Sequence, residues 1–203
     1  MTKEPEYMLE QHGVTTASRG TALLGNSTIQ AAEKLKTDLQ DRSMADLVGK
    51  EYFGRYVVNW TTRHDVDGEV VSHFSYGFAA HLAILDADGK LQRVHAAHDA
   101  GTVINPALFE GQVHGGIAQG IGQALLENCA YDENGQLLSA SYMDYAMPRA
   151  DDVPFYAVDH SCATPCTHNP LGVKGCGEAG AIGSPPTVVN AVIDALHSGG
   201  HTH

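Results

Sequence analysis

The chain has 203 residues, 43% hydrophobic and 18% charged, which is the composition of a folded globular protein rather than a disordered one. Its net charge of -12 argues against a nucleic-acid partner, because phosphate backbones are bound by a concentrated basic face. No apolar run reaches the roughly 18 residues of a membrane span, and the N-terminus lacks the pattern of a signal peptide. We therefore expect a cytoplasmic protein with no membrane partner.

The N-terminal region combines a polar arm, predicted over residues 1–12, with a loop of small residues over 13–21. A helix is predicted over about 27–39, because apolar side chains recur there at helical spacing. The residues on that apolar face are Ile29, Ala32, Leu35 and Leu39. A loop of Gly, Ser and Thr that leads into a helix favours anion binding, because free N–H groups and the helix dipole point the same way.

The next segment has the pattern of β-structure. Residues 55–62 and 70–85 are rich in β-branched and aromatic side chains, which favours strands. The sequence Asp86-Ala-Asp-Gly89 predicts a turn, and residues 91–97 predict a returning strand. We therefore expect a β-hairpin in this part of the chain.

A glycine-rich helix is predicted over about 107–127. Asn105 is a suitable N-cap, and Pro106 suits the first helical position. Each interior glycine lowers helix propensity by about 1 kcal/mol relative to alanine. We expect close packing or contact with a cofactor to offset this loss at the five positions concerned, which are Gly111, Gly115, Gly116, Gly120 and Gly122.

The C-terminal third begins with a second predicted hairpin turn at Asp132-Glu-Asn-Gly135 and a strand over 137–143. A further strand is predicted near 155–160, and a final helix from Ser184 to about Leu196. These elements indicate an α+β fold of mixed β-hairpins with packed helices, rather than a doubly wound parallel sheet.

The most distinctive segment is the glycine-rich stretch 169–186, in which five glycines surround one carboxylate, Glu178. Glycine is favoured where the backbone takes a positive φ or approaches another group closely. The stretch is therefore predicted to bring backbone against a ligand, with Glu178 as the candidate catalytic residue. From the residues alone, a plain surface carboxylate is an equally good interpretation.

Other motifs favour ordinary structural interpretations. Residues 175–180 match G-x-G-x-x-G, but they lack the preceding strand and immediate helix of a dinucleotide site. The strand histidines His73 and His81 are interpreted as ordinary surface or core residues. The remaining candidate metal ligands are Cys162, Cys166, His168 and Cys176. Their spacing matches no strong pattern of a structural zinc site.

Several long motifs, in order from about residue 13 to the end, resemble the molybdenum hydroxylase superfamily, which includes xanthine dehydrogenase, aldehyde oxidase and carbon monoxide dehydrogenase. The resemblance is to the C-terminal portion of the molybdopterin-binding catalytic domain, and implies that residues 13–203 form a part of it, incomplete at both ends. The motifs are Thr16-Ala-Ser-Arg-Gly-Thr21, Ala97 to Pro106, Glu110 to Ala124, Tyr142 to Asp152 and Gly172 to Gly183.

The resemblance also implies roles for individual residues. Glu178 matches the family's general base, and Gln112 matches a glutamine that hydrogen-bonds the pterin. A loop that holds the pterin and its phosphate matches Ala17, Ser18, Arg19 and Gly20, of which Ala17 lies close to the metal and substrate. No residue is implied as a direct metal ligand, because molybdenum is held through the pterin.

The implied activity is hydroxylation of an aldehyde or a purine-like N-heterocycle with oxygen derived from water. The implied cofactor is molybdopterin with molybdenum, in its cytosine dinucleotide form. Implied partners are the upstream half of the molybdenum subunit and subunits that carry iron–sulfur clusters and FAD, with a small-molecule substrate. The alternatives are a non-catalytic truncated remnant of such a subunit, or a module that binds an anion through its glycine loops.

Overall fold

The computed structural model describes residues 16–58, 61, 76–161 and 164–201. The predicted arm over 1–12 lies outside these ranges, as do His73 and Cys162. The chain divides into two compact units, which are described separately. The first comprises Met1–Tyr76 and Thr164–Gly175, and the second comprises Gly77–Ala163 and Cys176–His203.

Within the described residues, the first unit contains helix α1 (Gly20–Asp38) and a short 3-10 helix (Ala45–Leu47). The second unit contains helices α2 (Pro106–Leu125) and α3 (Ala179–Ser198) and a 3-10 helix (Ala150–Asp152). Its three strands are β1 (Phe78–Leu85), β2 (Leu91–Asp99) and β3 (Phe155–Ser161).

The strands form a mixed sheet in the order β1-β2-β3. The predicted hairpin is confirmed, since β1 and β2 are antiparallel and Phe78 faces Asp99 across the pair. Asp86 stabilises the connecting turn by accepting hydrogen bonds from the N–H groups of Asp88 and Lys90 at 3.0 and 2.8 Å. Strand β3 instead runs parallel to β2. The predicted α+β fold, with helices packed on a mixed sheet, is therefore confirmed.

One face of this sheet is buried against α2 and α3. Alternate residues of β2 point towards the helices, in keeping with the two-residue repeat of a strand. Side chains from β2, the segment after it, α2 and α3 form one apolar cluster. Its buried members are Val94, Ala96, Ala100, Phe109, Val113, Ile117, Ile121 and Val188. This cluster is the frame on which the N-terminus of α3 is built.

The predicted α2 agrees closely with the structure. Asn105 is the N-cap, and its side-chain oxygen accepts a hydrogen bond from the Leu108 N–H at 3.1 Å. Pro106 occupies the first turn, where its missing N–H costs no intrahelical hydrogen bond. Local capping chemistry therefore determines where this helix begins.

The first unit differs from the sequence prediction in two places. Helix α1 begins at Gly20, seven residues before the predicted start at 27. Its early turns are stabilised by tertiary packing, because buried Ala22 contacts Val173 in a small core. The predicted strand over 55–62 is wrong for residues 55–58 and 61, which form no strand, and residues 59, 60 and 62 lie outside the described ranges.

The second unit also departs from the prediction. The predicted strand over 137–143 is wrong, since only an isolated bridge joins Tyr131 and Leu137 in this segment. Ser141 explains the failure, because its hydroxyl accepts a hydrogen bond from the Met143 N–H at 3.2 Å. A serine side chain that binds a nearby backbone group competes in this way with strand pairing.

Helix α3 begins at Ala179 rather than at the predicted Ser184, so two prolines lie inside it. The Ser184 hydroxyl donates to the Gly180 carbonyl at 2.7 Å. Proline inside a helix removes a hydrogen bond and crowds the preceding turn, so it normally predicts a boundary. Here Gly180 packs closely against the backbone of α2, and this contact stabilises the extra first turn of α3. No helix among the described residues has the length and apolar character to cross a membrane.

Candidate functional site

In the first unit, the predicted pterin-binding residues form a strained turn. The Arg19 N–H donates to the Thr16 carbonyl at 3.3 Å, which closes the turn. Its two central residues, Ala17 and Ser18, have φ values of 53° and 54°. The left-handed conformation costs a non-glycine residue about 1 to 2 kcal/mol. Strain of this kind persists where the surrounding structure enforces it and is concentrated at functional sites.

The strained turn leads directly into α1, with Arg19 as the N-cap and Gly20 as the first helical residue. The first N–H groups of a helix have no intrahelical partner, and the helix dipole adds positive potential at this end. Backbone N–H groups with the Ser18 hydroxyl are suitable donors to a phosphate oxygen. The donor set of the turn thus fits the phosphate of a pterin cofactor, as the sequence predicts.

Gly175 packs directly on this turn. A methyl group at Gly175 would place its carbon 2.9 Å from the Ser18 Cβ and 3.4 Å from the Ser18 carbonyl oxygen. The same carbon would lie 3.7 Å from the Ala17 carbonyl oxygen. Within the first unit, the structure therefore brings Gly175, from the motif 172–183, against Ser18, at the centre of the motif 16–21.

The segment before Gly175 is a tight hydrogen-bonded loop. The Cys166 N–H donates to the Gly172 carbonyl at 3.1 Å, and the Gly172 N–H donates to the Asn169 carbonyl at 3.0 Å. The Asn169 side-chain amide, in a residue only 5% exposed, donates to the Val173 carbonyl at 3.0 Å. Gly172 has a φ of 67°, which explains its identity. These bonds fix the approach of the loop to the turn.

The structure gives no support to a zinc site in the part of the chain that it describes. No group of three or more His, Cys, Asp or Glu side chains is placed there to hold a metal ion. Cys166 is buried, and Cys176 packs beside the apolar core of the second unit. Burial raises the pKa of the Cys176 thiol, which keeps it protonated. Both cysteines therefore act as packing residues.

In the second unit, Glu178 is the N-cap residue of α3, and its side chain is exposed. Its carboxylate lies at the end of the helix where the dipole favours a negative charge. Two residues later, α3 meets α2 without an intervening side chain. A methyl group on Gly180 would lie 2.7 Å from the Val113 carbonyl oxygen and 2.9 Å from the Ile117 nitrogen. The start of α3 is therefore held by backbone contact.

This contact also connects Glu178 with the predicted pterin-binding glutamine. Gln112 is exposed on α2 and immediately precedes Val113, the residue whose carbonyl oxygen approaches Gly180. A matching approach occurs at Gly116, where a methyl group would lie 2.9 Å from the Ala181 nitrogen. The second unit thus places the backbone segments of Gln112 and Glu178 beside each other.

Sequence reasoning missed a histidine pair in the second unit, in which His98 is buried and His81 is half-buried. The Nε2 atoms of His81 and His98 are 2.9 Å apart, so one ring donates a hydrogen bond to the other. A methyl group on Gly183 would lie 2.7 Å from the His81 ring. Burial, with a smaller contribution from His81, lowers the pKa of His98 to about 4. The hairpin register, which follows from the turn at 86–89, was the signal that could have identified this pair.

The comparison with protein families identifies one family that covers most of the chain. A family described as a molybdopterin cofactor-binding domain matches residues 7–154, which is most of the chain. This range contains the strained turn and Gln112, whereas Glu178 lies beyond it. The chain belongs to this molybdopterin cofactor-binding domain family.

The chain is also similar to individual curated proteins. The chain is 40% identical over 136 residues to a carbon monoxide dehydrogenase large chain of Hydrogenophaga pseudoflava, covering 64% of this chain and 17% of the relative. It is 37% identical over 139 residues to a nicotine 6-hydroxylase large subunit of Paenarthrobacter nicotinovorans, covering 68% of this chain and 17% of that relative. The chain therefore spans about a sixth of the length of these curated relatives.

A solved structure extends the likeness of fold over most of the chain. An aldehyde oxidoreductase from Desulfovibrio gigas is similar over 91% of this chain and 22% of its own, with a TM-score of 0.77 and 22% identity. At this identity the likeness establishes the fold alone. It agrees with the α+β arrangement of mixed sheet and helices.

Proposed function

We propose that this chain is part of the catalytic subunit of a molybdopterin-dependent oxidoreductase, of the xanthine dehydrogenase and aldehyde oxidase type. The reaction is hydroxylation of an aldehyde or an N-heterocycle with oxygen derived from water. The observation that carries the proposal is the strained turn at Ala17 and Ser18, which lies inside the range matched by the molybdopterin-binding family. Such strain is unfavourable in a plain connection and typical of a ligand site.

The first unit supplies contacts to the pterin in this proposal. The backbone of Ala17, Ser18, Arg19 and Gly20, with the Ser18 hydroxyl, holds the phosphate of the cofactor. These groups combine N–H donors with the positive end of α1, which suits an anion. By the family resemblance Ala17 would lie close to the metal and substrate, and its small side chain would leave room for them.

The second unit supplies a hydrogen bond and a base. The Gln112 amide would hydrogen-bond the pterin, and a Glu178 carboxylate oxygen would accept the proton from the water-derived hydroxyl group whose oxygen attacks the substrate. An exposed carboxylate on a firmly packed helix start can be aimed at a reacting group without rearrangement of the fold. When bound, the molybdenum cofactor would supply the redox chemistry of the reaction.

The remaining parts of the enzyme are proposed from the relatives. We propose the cytosine dinucleotide form of the cofactor and partner subunits that carry iron–sulfur clusters and FAD. The upstream half of the molybdenum subunit completes the site in a heteromeric, cytoplasmic complex. The name of the nicotine 6-hydroxylase relative favours an N-heterocycle as one substrate class to test.

The test is co-expression of the chain with an upstream half of the large subunit, followed by measurement of molybdenum and released pterin per chain. We expect near-stoichiometric cofactor in the complex and none in the chain expressed alone. Activity towards aldehydes and N-heterocycles is then measured with an artificial electron acceptor. Absence of pterin from a folded complex would overturn the proposal and favour a non-catalytic remnant.

The role of Glu178 is tested in the same complex. Glu178→Gln removes the proton acceptor but keeps the shape of the side chain, so we expect kcat to fall by about 100-fold or more. Pterin content should stay unchanged. Glu33→Gln, at an exposed position of α1, is the matched control and should change kcat by less than about twofold. Full activity of Glu178→Gln with pterin bound would show that Glu178 is not the base.

A further inference from the structure

The contact between Gly175 and the strained turn is closer than any side chain allows. The methyl carbon of an alanine at position 175 would lie 2.9 Å from the Ser18 Cβ, well inside the contact distance of two carbon atoms. The opposing atom is a Cβ, whose position is set by the backbone of Ser18. Rotation of a flexible side chain therefore cannot relieve the overlap, and the backbone of the turn or of the loop has to move.

Both sides of this contact are anchored in the same small core. Val173, two residues before Gly175, is only 3% exposed and packs with Ala22 in the first turn of α1. The loop before Val173 is closed by the hydrogen bond from the Asn169 side chain to the Val173 carbonyl. The loop thus has little freedom to retreat, so a displacement falls mainly on the turn.

The turn is the weaker of the two sides because its conformation is already strained. Two consecutive non-glycine residues with φ near 54° are unfavourable unless neighbouring groups enforce them. The φ values of Ala17 and Ser18 also set the directions of the N–H groups that follow. A small rotation at Ala17 or Ser18 would therefore change the directions in which those N–H groups point.

We infer that Gly175 is a positioning residue for the pterin-binding turn. Its bare backbone holds Ala17 and Ser18 in the left-handed conformation and so directs the N–H groups at the start of α1 towards the cofactor phosphate. Gly175 acts through the turn and touches no reacting group. This inference rests on the proposed function for the ligand, whereas the contact itself is a feature of the fold.

A double-mutant cycle tests the inference in the co-expressed complex described above. Gly175→Ala should lower pterin affinity by about tenfold or more, since a misdirected set of donors loses charge-assisted hydrogen bonds. Ser18→Gly removes the opposing Cβ, so adding Gly175→Ala to this background should lower affinity by less than about twofold. Glu33→Gln, at an exposed position of α1 that has no proposed role in the site, is the control and should leave pterin affinity unchanged.

A second measurement does not depend on the cofactor. Amide hydrogen exchange of the 203-residue chain should become faster at residues 17–21 in Gly175→Ala and return towards the wild-type rate in the double variant. If exchange changes in this way but neither the wild-type complex nor any variant contains pterin, the positioning role is supported and the proposed cofactor is overturned. Unchanged exchange in Gly175→Ala would overturn the positioning role itself. So would an equal loss of pterin affinity when Gly175→Ala is added to the wild-type chain and to Ser18→Gly, which already lacks one proposed donor.

Discussion

The two units of the molecule hold their functional residues in different ways. In the second unit, eight buried residues form a continuous core beneath Gln112 and Glu178. Among the described residues of the first unit, the core below the strained turn has two buried members, Ala22 and Val173, and both are small. Hydrophobic stabilisation scales with buried apolar area, so the strained turn depends more on hydrogen bonds and close backbone contact than the start of α3 does. The proposed base thus rests on packing, and the strained turn on local geometry.

Glycine serves both arrangements for different reasons. Gly180 and Gly116 allow two helix backbones to touch, and the contact lies within the large core. Gly175 instead touches a turn whose own conformation is unfavourable. Loss of the first kind of contact should therefore affect stability, and loss of the second kind should affect ligand binding. The following experiments examine this difference, beginning with the largest expected effect.

The largest effect is expected from Ile117→Ala in the centre of the second unit. Ile117 is completely buried, and its truncation leaves a cavity that should lower the free energy of unfolding by about 4 kcal/mol. Leu171→Ala, in the small core of the first unit, should cost about 1 to 2 kcal/mol because Leu171 is only partly buried. Urea denaturation followed by circular dichroism measures both. Equal losses would contradict the contrast between the two cores.

A somewhat smaller effect is expected from acid. His98 is 3% exposed and its pKa is about 4, whereas a histidine in an unfolded chain titrates near 6.5. Its ring faces His81 from β1 and Phe109 from α2, and the pKa of His81 is lowered by burial as well. Between these two pH values the unfolded chain binds more protons than the folded one, so stability decreases as the pH falls.

The expected loss from His98 is roughly 3 kcal/mol between pH 6.5 and 4, with no further contribution from this group at lower pH. The measurement is the free energy of unfolding against pH, in the native chain and in His98→Gln, which cannot take up the proton. The variant should be less stable at pH 7 but show a flatter decline. An identical slope in both chains would show that this buried pair does not control acid sensitivity.

The smallest effect should come from Gly115→Ala. Its methyl group would meet nothing within 4 Å, unlike that of Gly120, which would lie 1.9 Å from the Ser184 Oγ. The substitution should therefore raise the free energy of unfolding by about 0.5 to 1 kcal/mol through helix propensity alone. Gly120→Ala, by contrast, should lower it by about 1 to 3 kcal/mol through overpacking. Thermal denaturation of the two variants should show shifts of opposite sign.

These glycines also show how far sequence reasoning reaches. The unfavourable propensity of five glycines in α2 predicted close packing or a cofactor contact. The structure shows close packing at Gly116, Gly120 and Gly122, while Gly111 and Gly115 face open space. Sequence periodicity could not separate these two sets, because the answer depends on which residues lie opposite. Gly116 and Gly120 face α3, and Gly122 faces Pro148 and Glu127. A helix that begins 54 residues after α2 ends (179 − 125) is invisible to a local pattern.

The candidate site likewise combines residues that the sequence indicated with features that only the structure shows. The glycine-rich stretch by itself indicated Glu178, whereas motif resemblance selected Ala17, Ser18, Arg19, Gly20 and Gln112; the catalytic and binding roles of all six stay predictions. Two features needed the structure, namely the left-handed φ values of Ala17 and Ser18 and the approach of Gly175 to them. Neither residue is of a type that favours positive φ, so no propensity would predict the strain.

The sequence by itself determined the β1–β2 hairpin, the start of α2 and the α+β class, because turns, caps and alternating patterns act between residues close in the chain. Only the tertiary structure decided the parallel pairing of β3, the early start of α3 despite its prolines, and the contact of Gly175 with the strained turn. Each of these depends on residues distant in sequence, whose packing outweighs the local preference of the segment involved.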